Sequence, residues 1–172
     1  MTDAAQPFAI HEGEQQDGAF VRQRSHFRDW VTADGSSGYA PEPDRYHLYV
    51  ARACPWAHRT IIARRLMGLE EAISISFLDP IRDARGWAFT TPGRYEDPLN
   101  GFSFLSEAYH AVDPTFHDRV TVPVLWDRRT ATIVNNESGE VLRMLSTVFA
   151  PLARHRVTLC PPALVDQIDK LN

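Results

Sequence analysis

The 172 residues fit one ordinary domain with a fragment of another, and at 44% hydrophobic and 23% charged they can bury a core. A net charge of −4 leaves no basic footprint for nucleic acid. No run approaches the roughly 20 apolar residues of a membrane span, and no leader pattern opens the chain, so a reducing cytoplasm is expected. Two cysteines, Cys54 and Cys160, make no disulfide framework, and the seven histidines show no metal-ligand spacing.

Residues 1–45 hold no long periodic segment and are punctuated by Gly18, Gly35, Gly38, Pro41 and Pro43. Phe20, Phe27, Trp30 and Val31 are too apolar for a free tail, so this arm is expected to pack on a core. Tyr46-His47-Leu48-Tyr49-Val50 reads as a strand and leads into Cys54-Pro55-Trp56-Ala57. A helix follows, with Ile61, Ile62, Leu66 and Met67 at helical spacing and Gly68 as its stop signal. Ile73, Ile75 and Phe77 alternate with Ala72, Ser74 and Ser76, a second strand ending at Asp79-Pro80. A strand–helix–strand unit of this length implies parallel strands with a right-handed crossover.

Residues 81–118 are long and irregular, apart from a helix expected near 103–112 with Leu105, Tyr109 and Val112 on one face. Val120, Val122, Val124 and Trp126 then alternate, and a turn at 127–130 leads into Thr132-Ile133-Val134, a β-hairpin. A helix opens near Glu137-Ser138 and carries Val141, Leu142, Leu145, Val148 and Phe149. This order matches an α/β, thioredoxin-like domain, a four-stranded mixed sheet with helices on both faces, over residues 46–150. After Leu159-Cys160-Pro161-Pro162 a short helix with Leu164, Ile168 and Leu171 begins. One apolar stripe of that length expects a partner, so residues 151–172 read as a linker and the start of a truncated all-helical domain. Packing back on the first domain is the alternative.

Cys54 stands where a strand gives way to a helix, and a helix start favours a thiolate, the nucleophilic form of sulfur. Arg52, His58 and Arg59 lie close in sequence and add positive charge. Pro55 suits the first helical turn because its missing N–H needs no partner there. The competing reading is a buried cysteine acting as a small hydrophobe. Ala57 occupies the place of a resolving cysteine, so a disulfide at Cys54 needs an external partner. Val122-Pro123 sits where a thioredoxin-like sheet holds a cis proline facing that cysteine, which leaves the Val122 backbone open to a peptide-like ligand. Glu137-Ser138 suits the ammonium and carboxylate of a γ-glutamyl group, and on spacing alone it is a helix cap. Trp87 either flanks a ligand or plugs the core. Arg119 either meets a carboxylate or is solvated, Cys160 reads as structural or incidental, and Asn135-Asn136 reads as a turn.

The block Tyr46–Val50 followed by Ala53-Cys54-Pro55-Trp56-Ala57-His58-Arg59-Thr60 resembles the glutathionyl-hydroquinone reductases, the Xi class of glutathione transferases. Phe27-Arg28-Asp29-Trp30, Phe77-Leu78-Asp79-Pro80, Gly86-Trp87, Val120–Asp127 and Ile133–Ser138 agree, so the resemblance covers about residues 18–172. It implies Cys54 as the catalytic residue and Trp87, Arg119, Val122, Glu137 and Ser138 as glutathione contacts, with no metal. Glutathione is the implied co-substrate and a glutathionylated quinol the substrate, reduced through a Cys54–glutathione mixed disulfide. The family's helical domain, which supplies quinol contacts and accompanies its homodimer, has almost no counterpart here. Two other readings remain: an Omega-like thioltransferase or dehydroascorbate reductase, and a non-catalytic glutathione-binding domain.

Overall fold

The computed structural model describes residues 15–16, 19–20, 23–82 and 85–171. Gly18 and the side chain of Phe20 lie outside the described residues. Strands β1 (Gln15–Gln16) and β2 (Ala19–Phe20) form a minimal antiparallel hairpin. The main sheet follows: β3 (Tyr46–Val50), helix α1 (Pro55–Leu66), β4 (Ile73–Phe77), α2 (Leu105–Val112), β5 (Val124–Asp127), β6 (Thr132–Asn135) and α3 (Ser138–Ser146). Its order is β4-β3-β5-β6, with β3 and β4 parallel and the other pairings antiparallel. This is the four-stranded mixed sheet of a thioredoxin-like domain.

Period-two alternation sends the residues of β3 to two different layers. Tyr46 packs edge-on against Phe149, beyond the end of α3, with ring centroids 5.1 Å apart, and α1 packs against α3. His47 and Tyr49 face the opposite way, where Tyr49 meets Phe89 and Trp126, and Trp126 meets Phe102. The serines of β4 share that second face: Ser74 lies opposite His47 and Ser76 opposite Tyr49. Ser76 is buried, whereas Ile75 and Phe77 are half-buried because β4 is an edge strand.

Gly68 ends α1 at φ +64°, and a Cβ there would meet Arg154 Cβ at 2.8 Å, so both the turn and the passing chain require glycine. In α2, Glu107 Oε1 accepts from the N–H groups of Ser103 and Phe104, satisfying donors at the helix start. The expected strand from Val120 is shorter than its alternation. Val120 and Val122 precede β5, because Pro123 has no N–H to give to a ladder.

The arm is held by Val31, which is buried, and by Asp29 N–H donating to Val134 O at 2.9 Å. Trp30, expected to pack, is instead 38% exposed. At the arm's end the buried Arg45 guanidinium grips Asp127 through two hydrogen bonds of 3.0 and 2.7 Å. Burial alone would raise the Asp127 pKa, but the bonds from Arg45 and Thr130 hold it below its ordinary value. The tail forms a short helix α4 (Val165–Leu171) with no buried residue. Its Asp169 pairs with Arg143 of α3, and Leu164 and Leu171 stay exposed.

His47 shows how burial sets a pH response. Its Nδ1 is 2.7 Å from Ser74 Oγ, and Ser74 Oγ in turn donates to Tyr46 O, which makes Nδ1–H the donor. Burial, reinforced by Arg128 and Arg64, pushes the imidazole down to about 4. The unfolded chain takes up this proton below about pH 6.5, and the folded one only near pH 4, so stability falls as pH drops through that window. Denaturation at pH 7 and pH 4.5 is expected to show His47→Gln losing less stability than wild type, by about 2–3 kcal/mol. Equal losses contradict this.

Candidate functional site

A cleft of about 440 Å³ opens beside the start of α1, and Cys54 lines it. That volume suits a small organic ligand. Cys54 is the N-cap residue of α1, with extended backbone (φ −93°, ψ 115°) and Pro55 next in the first turn. First-turn N–H groups have no acceptor within a helix, so this corner favours negative charge near the sulfur. Cys54 Sγ lies 3.8 Å from the carbonyl oxygen of Val122. The Val122–Pro123 peptide bond is cis. Cys160 is not among the cleft's lining residues.

The structure brings Cys54, Trp87, Arg119 and Val122 to one cleft. Trp87 fills both roles left open for it: it is 7% exposed within the core cluster and also forms cleft wall. Glu137 and Ser138 stand just beyond the lining residues, next to Asn136, which does line the cleft. Glu137 caps α3, its Oε1 accepting from Gly139 N–H at 3.3 Å. The buried Ser138 hydroxyl accepts from Arg59 at 2.7 Å, which ties α1 to the start of α3.

The cations near the sulfur differ from those expected. Arg52 stacks over Phe77 at 4.0 Å, Arg59 reaches Ser138, and His58 is exposed; none of the three lines the cleft. Arg24, Arg82 and Arg119 do. Arg82 lies 4.9 Å over the Trp87 ring. Its pKa is lowered by burial and by the charge of Arg119, with Cys54 acting in the opposite direction, so the three groups share one electrostatic neighbourhood. Among the described residues no group of three or more His, Cys, Asp or Glu side chains could hold a metal ion, and no helix is long and apolar enough to cross a membrane.

Asn136 is the main residue that sequence reasoning missed. It is 2% exposed. Its Oδ1 accepts from Phe27 N–H at 3.0 Å, and its Nδ2 donates to Tyr109 Oη at 3.1 Å and Thr121 Oγ1 at 2.9 Å. Tyr109 Oη in turn donates to Thr121 O at 2.9 Å and accepts from Thr121 N–H at 3.2 Å. Burial raises the Tyr109 pKa, so this hydroxyl keeps its proton. The network joins the arm, α2, the segment before Pro123 and the entry to α3. The weak signal for it was an Asn pair between a strand and a helix.

Asn135 works beside it. Its Nδ2 donates to Asp29 O and Glu140 Oε2, and its Oδ1 accepts from Glu137 N–H at 2.8 Å.

The Glutathione S-transferase, N-terminal domain family matches residues 53–148. The chain is 48% identical over 163 residues to glutathionyl-hydroquinone reductase YqjG of Escherichia coli K12, a match covering 90% of this chain and 50% of that protein. A Xi class GST from Natrialba magadii superposes with a TM-score of 0.84 at 47% identity, covering 95% of this chain and 50% of the other. The glutathione-bound structure of YqjG, described as a glutathione transferase homolog, gives 0.79 at 49% identity, covering 85% and 50%. The chain spans about half the length of the curated relatives it matches.

Removing the Asn136 side chain strands buried polar groups on three segments. Asn136→Ala is expected to lower the unfolding free energy by about 3 kcal/mol, read from urea denaturation, and to speed proteolysis within residues 23–30. A change under about 0.5 kcal/mol, the scale of an ordinary surface substitution, contradicts the assignment.

Proposed function

Because the chain belongs to the glutathione S-transferase family, in its glutathionyl-hydroquinone reductase (Xi-class) branch, we propose that it carries out glutathione-dependent sulfur exchange at Cys54. The observation that carries this reading is the Cys54 sulfur at a helix start, inside a cleft, 3.8 Å from the Val122 carbonyl. A bound tripeptide would lie extended along the backbone of Val122, its cysteine sulfur directed to Cys54. Arg119 and Arg82 suit the carboxylates of glutathione, Trp87 forms the wall beside it, and the Glu137–Ser138 helix start suits the γ-glutamyl end. Residues 46–150 would form the glutathione-binding unit, completed by the arm.

The chemistry follows from one cysteine. The Cys54 thiolate attacks the glutathione sulfur of a glutathionyl-hydroquinone and forms an S–S bond as the sulfur–aryl carbon bond breaks. The electron pair leaves with the aryl carbon, which takes a proton and departs as hydroquinone. A second glutathione, as thiolate, attacks the glutathione sulfur of the mixed disulfide, releasing glutathione disulfide and restoring Cys54. One substrate is reduced by two electrons and two glutathiones are oxidised to one disulfide. Ala57 offers no internal thiol to compete for the second step.

Glutathione disulfide should load one glutathione onto the wild-type chain, mapped to Cys54 by peptide mass spectrometry, and none onto Cys54→Ser. Hydroquinone release from glutathionyl-hydroquinone should fall to the uncatalysed rate in the same variant. An adduct that persists on Cys54→Ser at Cys160 overturns the assignment. Turnover of dehydroascorbate in preference to the quinol conjugate would move the substrate to the Omega-like class.

A further inference from the structure

The arm that crosses the sheet edge also forms part of the cleft: Gln23, Arg24, Ser25 and His26 line it. Its placement is fixed by backbone bonds on either side of Arg28. Asn136 N–H donates to Phe27 O at 3.0 Å, Asp29 N–H donates to Val134 O at 2.9 Å, and Arg28 bridges antiparallel to Asn135. Phe27 anchors the same stretch in an aromatic cluster with Tyr109 and Phe116. Two residues before that anchor, Ser25 Oγ donates to Glu137 Oε2 at 2.8 Å, across 112 positions of sequence. The same hydroxyl lies 3.5 Å from Asn136 O.

Glu137 is therefore held from two sides. Its Oε1 takes the Gly139 N–H of the helix start, and its Oε2 takes the Ser25 hydroxyl. A cap needs only the first bond. The second fixes the rotation of the carboxylate beside the cleft. Gln23, on the same arm, keeps its Oε1 buried in the cleft wall without a hydrogen-bond partner among the described residues.

Resting on the glutathione reading above, we infer that Ser25 is a positioning residue. Through its hydrogen bond it holds the Glu137 carboxylate to receive the ammonium group of the γ-glutamyl end, so the arm helps the site distinguish glutathione from an analogue lacking that amine. The arm is thus part of ligand recognition as well as a cover for the core.

The test compares equilibrium binding of glutathione with that of its des-amino analogue, in which hydrogen replaces the γ-glutamyl amine, by calorimetry under reducing conditions. Wild type, Ser25→Ala, Ser25→Thr and Glu137→Gln are measured. Wild type is expected to prefer glutathione. Ser25→Ala should cut that preference by about tenfold, the scale of losing a hydrogen bond to a charged group, with affinity for the analogue unchanged. Ser25→Thr should restore it, and Glu137→Gln should lose it at least as fully as Ser25→Ala. If Ser25→Ala keeps the wild-type preference, or weakens both ligands equally, the positioning role is wrong and the arm only supports the fold. If wild type binds neither ligand, the glutathione reading falls and this inference with it.

Discussion

The architecture of the cleft depends on the buried amide of Asn136. It satisfies the arm backbone at Phe27, the phenol of Tyr109 in α2 and the hydroxyl of Thr121 immediately before Val122. Buried polar groups cost the full desolvation penalty when a partner is lost, so a network of this kind has one low-energy arrangement. That arrangement sets the position of the Val122 carbonyl relative to Cys54 and the direction from which the chain enters α3. Asn135 extends the same constraint by accepting the Glu137 N–H and donating to the arm at Asp29.

The cleft is assembled from separate parts of the chain: the arm, the start of α1, the segment around Arg82 and Trp87, and residues 118–122. Each is held by a different device. The arm is bonded to β6 and wedged by Phe27, α1 is joined to α3 through Arg59 and Ser138, and Trp87 is both cleft wall and core. The Arg45–Asp127 pair clamps the far end of the hairpin to the arm, outside the cleft lining. Breaking such a buried pair by removing one partner costs about 3–5 kcal/mol. The sulfur is thereby left at a helix start, with rigid walls around it and no thiol among the neighbouring cleft residues.

Much of this was legible in the sequence because it rests on local periodicity. The strand-like composition of residues 46–50, the alternation in 73–77, the helical spacing after Pro55 and the stop at Gly68 each reflect short-range rules, and the strand–helix–strand unit followed from them. Cys54 was legible because a cysteine before proline at a strand–helix junction is a local pattern. The cations around it were not. Arg52 and Arg59 are near in sequence but turn to Phe77 and Ser138, whereas Arg82 arrives through tertiary folding beside Arg119, which the sequence had offered only as a carboxylate contact. Asn136 and Ser25 were hidden for the same reason: their partners lie up to 112 positions away, and nothing local marks an Asn pair as more than a turn. Val120 and Val122 kept a strand's alternation without its ladder, because Pro123 interrupts the pairing.

A crystal structure of the chain after reaction with glutathione disulfide tests directly whether Cys54 carries the sulfur exchange. One mixed disulfide is expected, at Cys54, with the tripeptide backbone paired to Val122 and its γ-glutamyl end at Glu137 and Ser138. Glutathione attached at Cys160, or bound outside the cleft with Cys54 unmodified, would contradict it.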